Sequence, residues 1–206
     1  ARYFTPGPRV YRFAGTMTLF AGSMAGLVTS DHLLALFVFW ELTTVTSYLL
    51  IGHDDHLARA RSAALHAAVV TGLGGLAMLG GLVILGIEAG SFSVSDITAG
   101  APLSGTAVGV AWALVLLGAV TKSAQFPFHG WLPGAMAAPT PASAFLHSAT
   151  MVKAGIFLVG RLGAQAVDSV AWWRPAIFVI GFITMAIGAW QALRQTDLKL
   201  LLAHGT

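Results

Sequence analysis

Six long apolar stretches decide what this 206-residue chain can fold into. A membrane-spanning helix needs roughly 20 apolar residues, and only helices and closed barrels satisfy their backbone hydrogen bonds inside a bilayer. With 56% hydrophobic and 9% charged residues, the chain is too apolar for a soluble domain. We predict an all-α membrane protein, a polytopic helical bundle in a single transmembrane domain over 1–206, with helices at 10–29, 32–52, 62–88, 106–138, 141–163 and 173–193.

The basic residues between the stretches predict the orientation of the chain. When loops are assigned alternately to the two sides, Arg161 and Arg174 fall on one side and all the others fall on the opposite side. The positive-inside rule then makes the N-terminus cytoplasmic. The sequence pI of about 9.7 indicates no nucleic-acid partner, because the basic residues form no stripe. The residues on the predicted cytoplasmic side are Arg2, Arg9, Arg12, Arg59, Arg61, Arg194 and Lys199.

The absence of cysteine limits the chemistry of this chain. Haem thiolates, iron–sulfur clusters and cysteine-based zinc sites are excluded, so we expect no cofactor. His53 and His56 stand beside Asp54 and Asp55, which are metal-ligand types, but a solvated loop is the simpler interpretation and no metal is predicted. No motif of serine hydrolases, NTPases or zinc proteases occurs. The sequence therefore supports none of these enzyme classes, and we expect no enzyme.

Three ionisable side chains lie inside the apolar stretches: Glu41, Lys122 and Lys153. A charge at mid-bilayer depth costs at least about 2–3 kcal/mol, and such residues usually pair with one another or line an ion path. Their placement therefore points to function.

The stretch 106–138 is too long for one span and has Pro127 and Pro133 in its interior. An interior proline removes a backbone hydrogen bond and clashes with the carbonyl four residues back, so the helix should break just after Lys122, near 123–131. Broken helices are the best sequence pointer to a transport site in a membrane protein, because freed carbonyls must face protein or water. The break also carries His129, a possible relay group.

Two further histidines and Lys153 complete the candidate site. His147 and Lys153 lie within two turns of the fifth stretch, and His66 lies near the start of the third. Histidine titrates near physiological pH, so a proton leaving Lys122 has acceptors nearby. We predict a proton relay through Glu41, Lys122, His147 and Lys153; the alternative is a static Glu41–Lys122 ion pair that fixes helix packing.

Three sequence runs resemble a known family: FWELTTVTSYLLIG, KSAQFPFHGWLPGAMAAPTPASAFLHSATMVKAG and RQTDLKLLLAH. They are similar to the proton-translocating core of Mrp-type sodium/proton antiporters and of the antiporter-like membrane subunits of respiratory complex I. The resemblance implies about fourteen helices in two inverted five-helix repeats, each with a discontinuous helix. This chain resembles the first repeat, as a fragment of a longer subunit.

The resemblance also assigns roles to residues. Glu41 resembles the glutamate of a Glu–Lys pair and Lys122 the lysine of the broken helix, while His147 and Lys153 continue the path. Lys153 resembles the A-type branch of the Mrp family, since complex I relatives usually have a neutral residue there. His66 stands where relatives often carry a lysine, and Gly75 stands where complex I relatives carry an acid.

The implied function is proton translocation coupled to sodium or another monovalent cation, in a multisubunit antiporter of the bacterial cell (inner) membrane. The implied partners are the lipid bilayer, protons, sodium ions and other membrane subunits, including a D-type paralogue. One alternative is a proton-pumping subunit of a redox-driven complex, of the complex I or membrane-bound hydrogenase type. Another is a structural membrane subunit with a static buried ion pair.

Overall fold

The computed structural model describes residues 8–206, apart from the side chains of Pro8, His147 and Ser148. This part of the chain is helical, and its one β-type pairing is an isolated bridge between His32 and Ser93. The helices are α1 (Pro8–Thr29), α2 (Leu33–Ile51), α3 (Ala58–Ala89), α4 (Val94–Ala99), α5 (Thr106–Lys122), α6 (Trp131–Ala135), α7 (Thr140–Ser143), α8 (Met151–Ser169), α9 (Trp173–Ala192) and α10 (Leu198–Gly205). The prediction of an all-α membrane bundle is confirmed.

Two of the predicted stretches are divided in the structure. The stretch 106–138 consists of α5, a 3₁₀ turn at Phe128–Gly130 and α6. The stretch 141–163 is one continuous helix in the sequence prediction, but α7 and α8 are joined by a π-helical segment, Ala144–Thr150, and α8 runs on to Ser169. The hydroxyl of Thr150 donates to the carbonyl of Phe145, five residues back, at 2.7 Å. This bond follows the wider spacing of the π segment.

Four helical segments of the described chain are long and apolar enough to cross a membrane: Leu33–Ile51, Ala58–Ala89, Thr140–Ser169 and Trp173–Ala192. Helix α5 is apolar but has only 17 residues, because it ends at Lys122. Helix α1 is 22 residues long, but Arg9 and Arg12 lie in its first two turns and several small polar residues follow. These residues lower the mean hydropathy of the helix. The protein is therefore a polytopic membrane protein.

The centre of the bundle is the contact between α3 and α5, and glycines allow it to be close. A Cβ on Gly81 of α3 would lie 2.5 Å from the carbonyl oxygen of Ala111 in α5. A Cβ on Gly118 of α5 would lie 2.5 Å from the Cβ of Met78 in α3. Small residues at such positions let helix backbones approach in membranes, where apolar burial alone gives little association.

The ends of several helices are joined on the side opposite the predicted cytoplasmic face. Asp31, between α1 and α2, accepts hydrogen bonds from the hydroxyls of Ser93 and Ser95 and lies 3.5 Å from Arg161 of α8. The hydrogen bond from Ser95 is the main reason that the pKa of the Asp31 carboxyl is below its usual value. These contacts hold α4 against α2 and α8.

The close α3–α5 contact predicts opposite effects for two glycine substitutions in α3. Gly81→Ala should lower the free energy of unfolding by about 1–3 kcal/mol, because its methyl group meets backbone and overpacks the contact. Gly72→Ala is the matched control: nothing lies within 4 Å of a Cβ there, and alanine favours the helix by up to about 1 kcal/mol. Thermal unfolding of the full-length subunit in detergent measures both. Equal stability of the two variants would contradict this account of the contact.

Candidate functional site

Helix α5 ends at Lys122 through a complete set of backbone hydrogen bonds. The N–H of Gln125 donates to the carbonyl of Val120 at 3.0 Å, and the N–H of Ala124 donates to the carbonyl of Thr121 at 3.3 Å. Ala124 has φ +49°, the left-handed conformation that usually requires glycine at this position. The helix therefore ends in a Schellman motif two residues beyond Lys122, before Pro127 is reached.

Side-chain hydrogen bonds join the end of α5 to α6 and α8. The indole Nε1 of Trp131 donates to the carbonyl of Thr121 at 3.0 Å, so the end of α5 is capped from α6. The hydroxyl of Ser123 donates to the carbonyl of Val152 in α8 at 2.7 Å. Backbone polar groups at the break thus face protein, as the bilayer requires.

Lys199 of α10 closes the other end of the broken region. Its Nζ donates to the carbonyls of Met136 and Ala138, each at 2.8 Å. These carbonyls follow the end of α6, where an ammonium group satisfies unpaired acceptors.

Lys122 is fully buried, and its ammonium group contacts α2. Its Nζ donates to the carbonyl of Trp40 at 2.9 Å and to the hydroxyl of Thr44 at 2.7 Å. It also lies 5.1 Å from the centroid of the Trp40 ring, within the range of a cation–π interaction. The partners of this buried cation are therefore neutral groups one turn apart on α2.

Glu41 is the next residue after Trp40, and one of its oxygens is buried. Oε1 has no hydrogen-bond partner in the described part of the chain. Glu41 and Lys122 interact electrostatically, but among the described residues the ion pairs closer than 4.0 Å are Arg12–Asp55 and Arg161–Asp31. The acid and the base are neighbours that form no direct ion pair.

Two adjacent glycines of α3 make room for this arrangement. A Cβ on Gly75 would collide with Oε1 of Glu41, and a Cβ on Gly74 would collide with the hydroxyl of Thr121, next to Lys122. The carboxylate of Glu41 therefore reaches across from α2 into the space that a side chain at position 75 would occupy.

A cavity of about 110 Å³ lies directly beyond the break. It is large enough for several water molecules. Its polar lining combines both sides of the break with α8, α9 and α10; the lining side chains include Ser123, Gln125, His129, Lys153, Thr184, Gln191 and His204. The Nδ1 atom of His129 is buried and has no hydrogen-bond partner among the described residues.

The structure divides the predicted site residues into two groups. Glu41 and Lys122 lie together, and His129 and Lys153 line the cavity beyond the break. His66 is exposed on α3 and does not line this cavity. The side chain of His147 lies outside the described residues, although its backbone belongs to the π segment.

His204 is a candidate that the sequence alone does not single out. It lines the cavity from α10 and lies close enough to His129 for their charges to interact. A histidine inside the short, mostly apolar run 198–205 is a sequence signal for a functional residue. The run alone does not indicate that His204 packs against the break.

The loop with His53 and His56 is exposed over residues 55–57, as the prediction of a solvated loop requires, but His53 itself is buried. His53 is 4% exposed and packs edge-on against Phe13, with ring centroids 5.2 Å apart. Burial lowers the pKa of His53, so the ring favours its neutral form. No group of three or more metal-ligating side chains occurs among the described residues.

A discontinuous helix with a buried lysine, inside a polytopic bundle, defines this chain as a membrane protein built around a buried polar site. The family described as "NADH:quinone oxidoreductase/Mrp antiporter, TM" matches residues 30–206. The match covers most of the chain, which therefore belongs to this family.

Individual relatives agree with this assignment. The chain is 49% identical to a probable K⁺/H⁺ antiporter protein of the A/B type from Rhizobium meliloti over 213 aligned residues, which cover 100% of this chain and 21% of that protein. It is 49% identical to the A-type subunit of a Na⁺/H⁺ antiporter from Alkalihalophilus pseudofirmus, over 92% of this chain and 24% of the relative. The chain thus spans about a fifth to a quarter of these curated relatives.

Solved structures share the fold. The Mrp complex from Dietzia sp. DQ12-45-1b matches with a TM-score of 0.89 and 39% identity, over 98% of this chain and 22% of that one. A membrane-bound sulfane sulfur reductase, an archaeal respiratory membrane complex, also matches with a TM-score of 0.89, at 26% identity over 98% of this chain and 42% of that one. The similarity extends to both transport and respiratory complexes.

The left-handed conformation of Ala124 predicts that Ala124→Gly stabilises the protein. A non-glycine residue pays about 1–2 kcal/mol for this conformation, so the variant should gain about 1 kcal/mol in free energy of unfolding. Ala113→Gly, at an exposed site in the middle of α5, is the control and should lose about 0.5–1 kcal/mol. Unfolding of the full-length subunit in detergent measures both. A loss of stability in Ala124→Gly would refute the assigned helix end.

Proposed function

We propose that this chain forms part of a subunit that moves protons in exchange for sodium or another monovalent cation, within a multisubunit antiporter. The observation that carries the proposal is the ammonium group of Lys122, fully buried at the end of a broken helix and bound by neutral acceptors of α2. A buried cation without a bound counter-ion is costly to keep, so it is suited to change its charge during a transport cycle.

The hydrogen bonds of Lys122 are compatible with both of its charge states. A protonated amine donates to Thr44 and to the Trp40 carbonyl, as in this structure. A neutral amine can accept the Thr44 hydroxyl hydrogen while it still donates to Trp40. Lys122 therefore keeps both hydrogen-bond partners when its proton leaves.

Glu41 controls which charge state of Lys122 is favoured. Its negative charge stabilises the ammonium through space, without a direct bond. Neutralisation of Glu41, by a proton or by an approaching cation, removes this stabilisation and favours release of the Lys122 proton. The cation and the proton then compete for the negative charge of Glu41. Such competition is the basis of antiport.

The cavity beyond the break gives the released proton a route. Ser123 and Gln125, which follow Lys122 within three residues, line the cavity together with His129 and Lys153. Water in a space of this size can connect groups that do not touch. We propose the order Glu41, Lys122, then His147 and Lys153, with His129 as a further relay group.

The partners and the location of the protein are part of the same proposal and rest on the family. We place the protein in the bacterial inner membrane, with the N-terminus of this segment cytoplasmic, beside other membrane subunits that include a D-type paralogue. The names of the relatives include both Na⁺ and K⁺ antiporters, so the exchanged ion is proposed as a monovalent cation of either kind.

The similarity to a respiratory membrane complex supports a second candidate, a proton-pumping subunit driven by electron transfer elsewhere. The antiporter subunit and the redox-driven pump differ in the driving force of proton movement. An antiporter collapses a pre-formed proton gradient when a cation is added, with no electron donor present. A redox-driven pump builds the gradient only while substrate is oxidised.

The relay predicts loss of exchange in Glu41→Gln and Lys122→Met. In everted vesicles that contain the complete complex, cation-induced dissipation of a proton gradient should fall by about tenfold or more in each variant, because either change removes a charge on which the other depends. The readout is the recovery of a pH-sensitive dye after addition of Na⁺ or K⁺.

Glu88→Gln is the matched control, since Glu88 is an exposed carboxylate near the end of α3. It should keep wild-type exchange. Wild-type exchange in both Glu41→Gln and Lys122→Met, at equal protein levels, would overturn the proposed relay.

Gly75→Ala tests the position of the carboxylate without removing any ionisable group. The added methyl group displaces Oε1 of Glu41, so exchange should fall several-fold while the protein still assembles. Gly72→Ala, on the same helix in open space, should exchange normally. Equal exchange rates in the two variants would show that the contact between Glu41 and α3 has no role in transport.

A further inference from the structure

A second cavity lies at the end of the bundle where α1 and α3 begin and α2 ends. It has a volume of about 250 Å³ and lies far along α1 and α2 from the Asp31 end. Since these helices cross or enter the membrane, their ends place the cavity at a membrane surface. Its charged lining residues are Arg12, Asp55 and Arg61.

The two arginines are held in place by backbone carbonyls. Nη2 of Arg12 donates to the carbonyl of His53 at 2.8 Å, and Nη1 of Arg61 donates to the carbonyl of Asp55 at 2.6 Å. A guanidinium group has five N–H donors, so each side chain is oriented and keeps donors for another acceptor. Paired, oriented arginines are the preferred partners of a phosphate group.

The cavity region has a positive balance of charge. Asp55 is 3.4 Å from Nη1 of Arg12, but the Arg12 and Asp55 side chains are 52% and 58% exposed, so this pair is weak and screened. The adjoining segments add Arg9, Arg59 and Asp54, which makes four arginines against two aspartates. An anion is therefore attracted to this end of the bundle.

An open apolar groove lies farther along α1 and α2. Leu19 of the groove lies seven positions from Arg12 of the cavity, both on α1. Leu42 of the groove lies seven positions from Leu49 of the cavity, both on α2. Seven residues are two helical turns, so groove and cavity lie on the same faces, about 10 Å apart. Gly15 and Gly22 border the groove, and no atom lies within 4 Å of a Cβ built on either.

We propose that this cavity and groove bind one anionic phospholipid, with its phosphate between Arg12 and Arg61 and an acyl chain along the glycine-bordered groove. A free phosphate ion would use the arginines but not the groove. A zwitterionic lipid would use the groove but gain little from the excess positive charge. The combination of both features at a membrane surface matches an anionic lipid.

The test uses the complete complex, purified in mild detergent from membranes supplied with equal phosphatidylglycerol and phosphatidylcholine. Native mass spectrometry measures which lipid stays bound. The wild type should retain phosphatidylglycerol, and Arg12→Gln with Arg61→Gln should weaken this retention on the order of 10- to 30-fold. The control variant Arg174→Gln with Arg194→Gln removes the same charge elsewhere and should retain the lipid.

Two further variants separate the parts of the site. Asp55→Asn removes the competing carboxylate and should strengthen retention. Gly15→Leu with Gly22→Leu fills the groove without changing the charge and should weaken it, whereas a site for free phosphate would be unaffected. Unchanged retention in the arginine pair variant, or in the glycine pair variant, would overturn the proposal.

A photo-crosslinking residue in place of Leu19, whose side chain is exposed in the groove, identifies the occupant directly. Labelling of phosphatidylglycerol supports the proposal. Labelling of protein alone, from the same polypeptide or a neighbour, would show that a polypeptide covers the groove and would overturn it.

Discussion

The burial of one ammonium group explains most of the local structure around it. An uncompensated charge in a bilayer interior costs several kcal/mol, so every group near Lys122 must either bind it or keep its own hydrogen bonds away from lipid. Trp40 and Thr44 bind it, and Trp131 caps the carbonyl of Thr121 beside it. These hydrogen bonds join α2, the end of α5 and the start of α6 around Lys122.

Neutral acceptors and a nearby carboxylate serve different purposes. Breaking a closed buried ion pair costs about 3–5 kcal/mol, a large barrier to repeated opening. Hydrogen bonds from Lys122 to a carbonyl and a hydroxyl need no counter-ion, and Glu41 interacts with the ammonium group without a direct ion pair. Under the proposed function, this arrangement lets Lys122 change its charge without breaking a direct ion pair.

Local rules of sequence account for only part of this site. Proline positions and the place of Lys122 in an apolar stretch predict where α5 ends, since proline cannot continue a helix. The π segment has no such signal: Ala144–Thr150 contains neither glycine nor proline, and its spacing depends on packing against neighbours. The approach of Glu41 to Gly75 and of His204 to the break are contacts between distant segments, and no periodicity of one segment indicates them.

The break in α5 and the π segment of the fifth stretch are one feature of the fold rather than two. A Cβ on Gly155 of α8 would collide with the carbonyl of Ala119 and the hydroxyl of Ser123, so α8 and the end of α5 are in close contact. Ser123 also binds the carbonyl of Val152, just after the π segment. Irregular backbone is tolerated in a membrane only where protein or water satisfies it. Ser123 links the end of α5 to the start of α8, directly after the π segment, and the polar cavity lies beside this link.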